Sequence, residues 1–271
     1  MQRIESVDDP RIAAYRNLRD RTLRGECIFV AEGELVAERL LESEYGAESL
    51  LVSDQFAEKF ERLAAGRIPV YVGPESLLVE VVGFPFHRGV LAVGCRPKQS
   101  RTLDELMVRM DPAKALSLVI CPEVTKPDNL GLIFRSAGGF GIDGVILGDR
   151  CCDPFSRRAL RVSMGAVLHV PFIRSADLLG DLKRLKDQWN VELLATVLDP
   201  RAECLSGLRW PRRTGILMGN ETAGLLHDCL AVCDRLVTVP MDPRVDSLNL
   251  GVAAGVFMYD LTTKRLLNPE R

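Results

Sequence analysis

Three stretches of this sequence carry polar side chains in otherwise apolar, glycine-rich surroundings. The first is KPDNLGLIFRSAGGFG, Lys126 to Gly141. Pro127 and Asp128 suit a helix start, because proline needs no donor there and Asp or Asn can cap free N–H groups. Leu132, Ile133, Ser136, Ala137 and Phe140 then fall on one side at helical spacing, and Arg135 projects away from it. A permanently charged, planar donor fork at the edge of a packed helix suits a phosphate or a developing alkoxide. Gly131, Gly138, Gly139 and Gly141 weaken the helix but let a backbone or ligand approach closely. The second stretch, GILMGNETAGL from Gly215 to Leu225, reads as a buried strand ending in Gly219-Asn220-Glu221. Ligands gather at the carboxyl ends of parallel strands. The third, Val237 to Leu261, ends a strand at Val239-Pro240, and Ser247 is a natural N-cap for a last helix, with polar Asn249 in its first turn. Taken singly, Arg135 reads first as a surface arginine, and Ser247 and Asn249 read equally as caps.

The elements that must position these groups follow from hydrophobic periodicity. The first hundred residues alternate strands (CIFVAEG, SLLVSD, IPVYVG, RGVLAVGC) with amphipathic helices (ELVAERLLES, FAEKFERLAAG, PESLLVEVVG), the first helix carrying Leu35, Val36, Leu40 and Leu41 on one face. A polar linker is expected at about 96–112. A second series follows, with strands SLVICPE, GVILGD, VELLATVLD, GILMGNE and RLVTVP, and a closing helix from about Ser247 to Lys264. Alternation of this kind predicts an α/β class. A small N-terminal domain over 1–100 precedes a C-terminal domain over 113–271. The uninterrupted apolar runs of the C-terminal domain fit a parallel sheet covered on both faces.

The 271 residues carry a net charge of −2, and the sequence pI is about 6.0. A basic total, the simplest sign of a nucleic-acid binder, is absent. The arginines nevertheless cluster: Arg11, Arg16, Arg19, Arg21 and Arg24; Arg157, Arg158 and Arg161; Arg209, Arg212 and Arg213. Such clusters could meet phosphates or simply be solvated. No run reaches the roughly 20 apolar residues of a membrane span. The charged N-terminus is no signal peptide, so a cytoplasmic protein is expected. Its eight cysteines then read as reduced thiols. HDCLAVCD, with His227, Cys229 and Cys233, lacks the further ligands a zinc site needs, and no metal is expected.

Taken together and in this order, Asn129…Gly131…Arg135, then GNE…G, then PM…SLN ahead of a small-residue helix resemble the three motifs of the SpoU/TrmH family. These are knotted RNA methyltransferases that use S-adenosylmethionine. DPFSRRALRVSMGAVLHVPF is similar to the family's segment between its first and second motifs. The first hundred residues, with FVAEGELVAERLL and HRGVLAV, resemble the ribosomal-protein-like substrate-binding domain often fused in front. The resemblance implies a small N-terminal α/β sandwich, a C-terminal trefoil knot and transfer of methyl to a ribose 2′-hydroxyl. It favours ribosomal over transfer RNA. It implies that Gly219, Val239, Leu248 and Thr196 hold the cofactor, and that Asn129, Arg135, Glu221, Ser247 and Asn249 form the catalytic pocket. It also implies a homodimer through the C-terminal domain, with each pocket completed near the seam. One departure stands in the third motif, where Asp242 and Pro243 replace the glycine that relatives commonly carry after Pro-Met.

Three other readings remain. A catalytically silent RNA-binding or ribosome-assembly factor could use the same scaffold, and a related knotted enzyme could methylate a base nitrogen. A nicotinamide dehydrogenase would want the GxGxxG fingerprint, which this sequence lacks.

Overall fold

Apolar runs of four to seven residues become strands here, and amphipathic stretches between them become the covering helices. The computed structural model describes residues 1–18, 27–84, 86–98, 100–242 and 244–267. Arg19, Arg21, Arg24 and Pro243 lie outside these. In chain order the elements are β1 (Gln2–Arg3), β2 (Ile28–Glu32), α1 (Glu34–Glu42), β3 (Ala47–Ser53), α2 (Ala57–Ala64), β4 (Val70–Gly73), α3 (Glu75–Val82) and β5 (Val90–Cys95). They continue with α4 (Leu103–Met107), β6 (Leu116–Cys121), α5 (Pro127–Gly139), β7 (Gly144–Leu147), α6 (Arg157–Val162), β8 (Phe172–Arg174), α7 (Leu178–Trp189) and β9 (Glu192–Thr196). The last are β10 (Glu203–Cys204), β11 (Arg213–Leu217), α8 (His227–Val232), β12 (Arg235–Thr238) and α9 (Leu250–Leu267).

Two compact units result. The first comprises Met1–Lys98 and Asp153–His169, the second Gln99–Cys152 and Val170–Arg271. This division differs from the expected one in two places. Within the expected linker, Thr102 and Glu105 form a reciprocal capping box that starts α4, and Leu103, Leu106 and Met107 are buried in the second unit. Asp153–His169 groups with the first unit although its motif neighbours do not. Phe155 stacks on Phe29 at 4.8 Å and meets Tyr45 edge-on. Arg96 grips Asp153 with both guanidinium ends, at 3.0 and 2.6 Å, and Arg39 donates to the carbonyl of Met164.

The first unit's sheet has the order β1-β4-β3-β5-β2 and is mixed: β5 runs antiparallel to β2 and β3, while β3, β4 and β1 are parallel. On α1 the buried face is Val36, Ala37 and Leu40, and Leu35 is exposed, so the expected stripe is turned by one position.

The second unit's seven strands, in the order β10-β12-β9-β11-β6-β7-β8, are parallel throughout. Leu118, Val119, Ile120, Leu193, Leu194, Ile216 and Leu217 are buried in the central strands, as a sheet covered on both faces requires. Two arginines close its N-terminal edge. Arg213 donates to the carbonyls of Trp189, Asp111, Pro112 and Lys114, and Arg265 to those of Leu116, Pro211 and Arg212. Arg213 is therefore a buried structural group rather than a phosphate contact, and Arg212 likewise donates to the carbonyl of Ala113. Among the described residues no helix is long and apolar enough to cross a membrane.

Candidate active site

The carboxyl ends of β6, β9, β11 and β12 supply the loops of the site. After β11 the chain turns through Met218-Gly219-Asn220-Glu221. Asn220 accepts from the N–H groups of Thr222 and Ala223, and Asn220 and Gly224 exchange backbone bonds, so the loop folds back on itself. Gly224 has φ +69°, a conformation side chains rarely adopt. A Cβ on Gly219 would come within 2.9 Å of the Gly224 and Leu225 backbone. Glycine is needed there by the tight loop itself.

That loop delivers Glu221 to the start of α5. Its carboxylate accepts from the N–H of Lys126 at 3.0 Å, the N–H and hydroxyl of Thr125 at 3.2 and 3.1 Å, and the side-chain amide of Asn129 at 3.0 Å. Lys126 is the N-cap of α5 but supplies no side-chain cap; a carboxylate from another loop does this work and meets the positive end of the helix. Asn129, 3% exposed, in turn accepts from the Asn249 amide at 2.8 Å. One hydrogen-bonded chain thus joins Asn249, Asn129 and Glu221, one residue from each motif. Burial opposes the charge on Glu221, but the N–H groups of Glu221 itself, Lys126 and Thr125 and the Asn129 amide outweigh it and hold the carboxyl below the usual glutamate range.

Asn249 also starts α9. Its side-chain oxygen accepts from the N–H groups of Gly251 and Val252. The last helix therefore begins at Leu250, and the cap expected of Ser247 belongs to Asn249. Ser247 is left exposed. The helices α5 and α9 run side by side in the same direction. Leu132 faces Gly251, Ser136 faces Gly255, and Phe140 meets the ring of Tyr259 edge-on.

A cavity of about 550 Å³ opens beside this brace. Thr196, Gly219, Val239 and Leu248 line it, as do Asn129, Glu221, Ser247 and Asn249. Eight of the nine candidate residues thus meet at one cavity. Arg135 is the exception. It stands exposed on α5, six residues beyond Asn129, and its guanidinium has no hydrogen bond or ion pair with any described residue. Thr196 spends its hydroxyl on the Leu217 carbonyl, leaving its backbone for a ligand. Thr125 and Lys126, whose N–H groups hold Glu221, were invisible to motif reading, as was Asp246, which lines the cavity. The available signal was Glu221 itself, an acid at the end of an apolar strand.

The remaining sequence candidates resolve structurally. Asp242 pairs with Arg244 at the outer edge of the third-motif loop. Cys229 is buried, and burial pushes the Cys233 thiol up to about 12, disfavouring the thiolate a metal would need. Among the described residues, no group of three or more His, Cys, Asp or Glu could hold a metal ion.

Known proteins bear on this arrangement in three ways. The sequence pattern of the SpoU rRNA Methylase family matches residues 117–259. An uncharacterised tRNA/rRNA methyltransferase of Mycobacterium tuberculosis is 35% identical over 97% of this chain and 92% of its own. The 23S rRNA (guanosine-2′-O-)-methyltransferase RlmB of Acinetobacter baylyi is 33% identical over 79% of this chain and 86% of its own. Among solved structures, the AdoMet-bound rRNA methyltransferase of Sinorhizobium meliloti superposes with a TM-score of 0.82 at 25% identity, covering 98% of this chain and 99% of that one. The cavity at the strand ends, the three-motif brace and the span of these matches agree: the chain belongs to the SpoU rRNA Methylase family.

Proposed function

We propose that this chain transfers a methyl group from S-adenosylmethionine to a ribose 2′-hydroxyl of ribosomal RNA. The observation that carries the reading is the Asn249–Asn129–Glu221 chain at the rim of a cavity lined by strand-end backbone. That cavity fits the cofactor. It has an apolar floor in Met218, Leu230, Ala253 and Phe257, and Gly219 and Val239 line it at the strand ends. Gly219, Val239, Leu248 and Thr196 would hold a nucleoside there, largely through main-chain groups.

S-Adenosylmethionine supplies an electrophilic methyl on a cationic sulfur. Transfer of that methyl to the hydroxyl oxygen would leave the S–CH₃ electron pair on sulfur and release the hydroxyl proton to a substrate phosphate or to solvent. Glu221 is unsuited to take that proton, because it is a weakened base whose oxygens are already engaged. Its role is to fix the start of α5 and the Asn129 amide. Arg135 is permanently protonated and acts as a donor fork toward a substrate phosphate and the oxygen as it gains charge. Ser247 and the brace align the ribose, and alignment of oxygen and methyl contributes the rest.

Arg135 lies outside its own protomer's cavity lining, which supports the homodimer. Val252 and Tyr259 of α9 are 50% and 58% exposed, leaving an apolar stripe beside α5 for a partner to cover. A two-fold pair would bring one protomer's Arg135 to the other's cavity. In the same reading the chain is knotted where the loops after β11 and β12 line that cavity, and the protein works in the cytoplasm. The first unit reads the RNA. Arg88, Arg157 and Arg161 surround the single buried carboxylate of Glu32, an excess of positive charge that suits a phosphate backbone.

The test is incubation with labelled S-adenosylmethionine and, in parallel, ribosomal and transfer RNA, followed by alkaline digestion. A 2′-O-methyl leaves an alkali-resistant labelled dinucleotide. Label recovered on a base, or on transfer RNA alone, would overturn the reading.

A further inference from the structure

Among the described residues, three charged side chains line the cavity: Lys126, Glu221 and Asp246. Glu221 is committed to the α5 brace. The Lys126 ammonium and the Asp246 carboxylate are not, since neither forms a hydrogen bond or ion pair with any described residue. Cations and anions nearby do find one another. Asp242 pairs with Arg244 in the same loop as Asp246, and Asp199 with Arg201 just beyond Leu198. Lys126 and Asp246 therefore stand as one unmatched cation and one unmatched anion at a single cavity.

Both are solvent-exposed, whereas the apolar floor is made by Met218, Leu230, Ala253 and Phe257. A ligand that fits this layout has an uncharged aromatic part for the floor and a zwitterionic end for the rim. S-Adenosylmethionine has both. Beyond its sulfonium it ends in an α-carboxylate and an α-ammonium, the reverse of Lys126 and Asp246.

We propose that Lys126 and Asp246 clamp the amino-acid end of the cofactor, Lys126 on its carboxylate and Asp246 on its ammonium. The proposal rests on the cavity being the cofactor site. The clamp sets how the methionine arm lies, and so helps aim the methyl.

Calorimetric titration of the full chain with three probes tests it. S-Adenosylmethionine carries both end charges, decarboxylated S-adenosylmethionine lacks the carboxylate, and 5′-methylthioadenosine lacks the amino-acid end. Lys126→Gln should weaken S-adenosylmethionine roughly three- to tenfold, the range of an exposed to partly shielded charge pair, and leave the other two probes unchanged. Asp246→Asn should weaken S-adenosylmethionine and its decarboxylated form alike and spare methylthioadenosine. Lys126→Arg should restore most of the loss. Equal weakening of all three probes would make these side chains supports of the pocket and overturn the clamp, as would unchanged affinities. Unchanged cofactor affinity with weakened RNA binding would assign Lys126 to a phosphate and equally overturn it. Failure of all three probes to bind the wild-type chain would instead refute the cavity as the cofactor site.

Discussion

In the proposed function Arg135 and Glu221 divide two jobs that sequence alone lumps into one pocket. Arg135 is exposed and uncommitted, so its removal should leave the fold and the cofactor cavity intact. Arg135→Ala should abolish methyl transfer while cofactor affinity stays within a few-fold, and Arg135→Lys should rescue poorly, because an ammonium lacks the planar fork. Single-turnover assays beside calorimetry check this; near-wild-type turnover in Arg135→Ala would refute the role. Glu221 has the opposite character, and pH reveals it. Its folded pKa lies below the ordinary value of 4.5, so its contribution to stability is present above that value and is lost as pH falls through the folded pKa. Glu221→Gln lacks the contribution at every pH. The two melting temperatures should differ most above about pH 5 and converge in acid; a gap that is constant across that range would remove the charge from the argument. These roles were only partly legible in the sequence. Motif order found Asn129, Glu221 and Asn249, but their mutual bonds span 92 and 120 residues of chain, and no local pattern encodes which amide donates to which acid. Ser247 was the better local N-cap, yet Asn249 holds the position, because one side chain there serves both the helix and Asn129.

Secondary structure was most legible where burial was most complete. The central strands are unbroken apolar runs, and each predicted strand of the second unit is found. Missed were β1 and β10, of two residues each, and β8, of three, which are too short to show a period. Helix packing was harder still. A glycine in a helix signals close approach without saying to what, and apolar Val252 and Tyr259 on the same helix are exposed. The buried face runs through Gly251, Ala254, Phe257, Met258 and Leu261. Two glycines one turn apart give a sharp test of the α5–α9 seam. A Cβ on Gly251 would come 2.6 Å from the Leu132 Cβ, whereas one on Gly255 would meet only the Ser136 hydroxyl at 3.4 Å. Gly251→Ala should cost about 1–3 kcal/mol through overpacking. Gly255→Ala should be near neutral, the tight contact offset by better helix propensity of about 0.5–1 kcal/mol. Urea unfolding of the two variants decides it, and equal effects would mean that the helices do not meet as described.

At the level of the whole chain, the homodimer proposed above rests on the exposed apolar stripe on α9 and the uncommitted Arg135. Sedimentation at micromolar concentration should show a dimer, and Tyr259→Glu should dissociate it and lose methyl transfer while still binding cofactor. A fully active monomer would refute the shared pocket. The division into units has its own consequence. The chain passes between them at Lys98, at Cys152 and again at His169, so the first unit is finished only by a segment made much later. Until Phe155 is synthesised, Phe29 and Tyr45 lack a ring they pack against. At ribosomal speeds of about 5–20 residues per second, the 54 intervening residues, Gln99–Cys152, impose a wait of about 3–11 seconds. During that interval the first unit is an open nascent fold with an apolar gap, and the second is still being built. The first unit can therefore close only after the opening stretch of the second has been made.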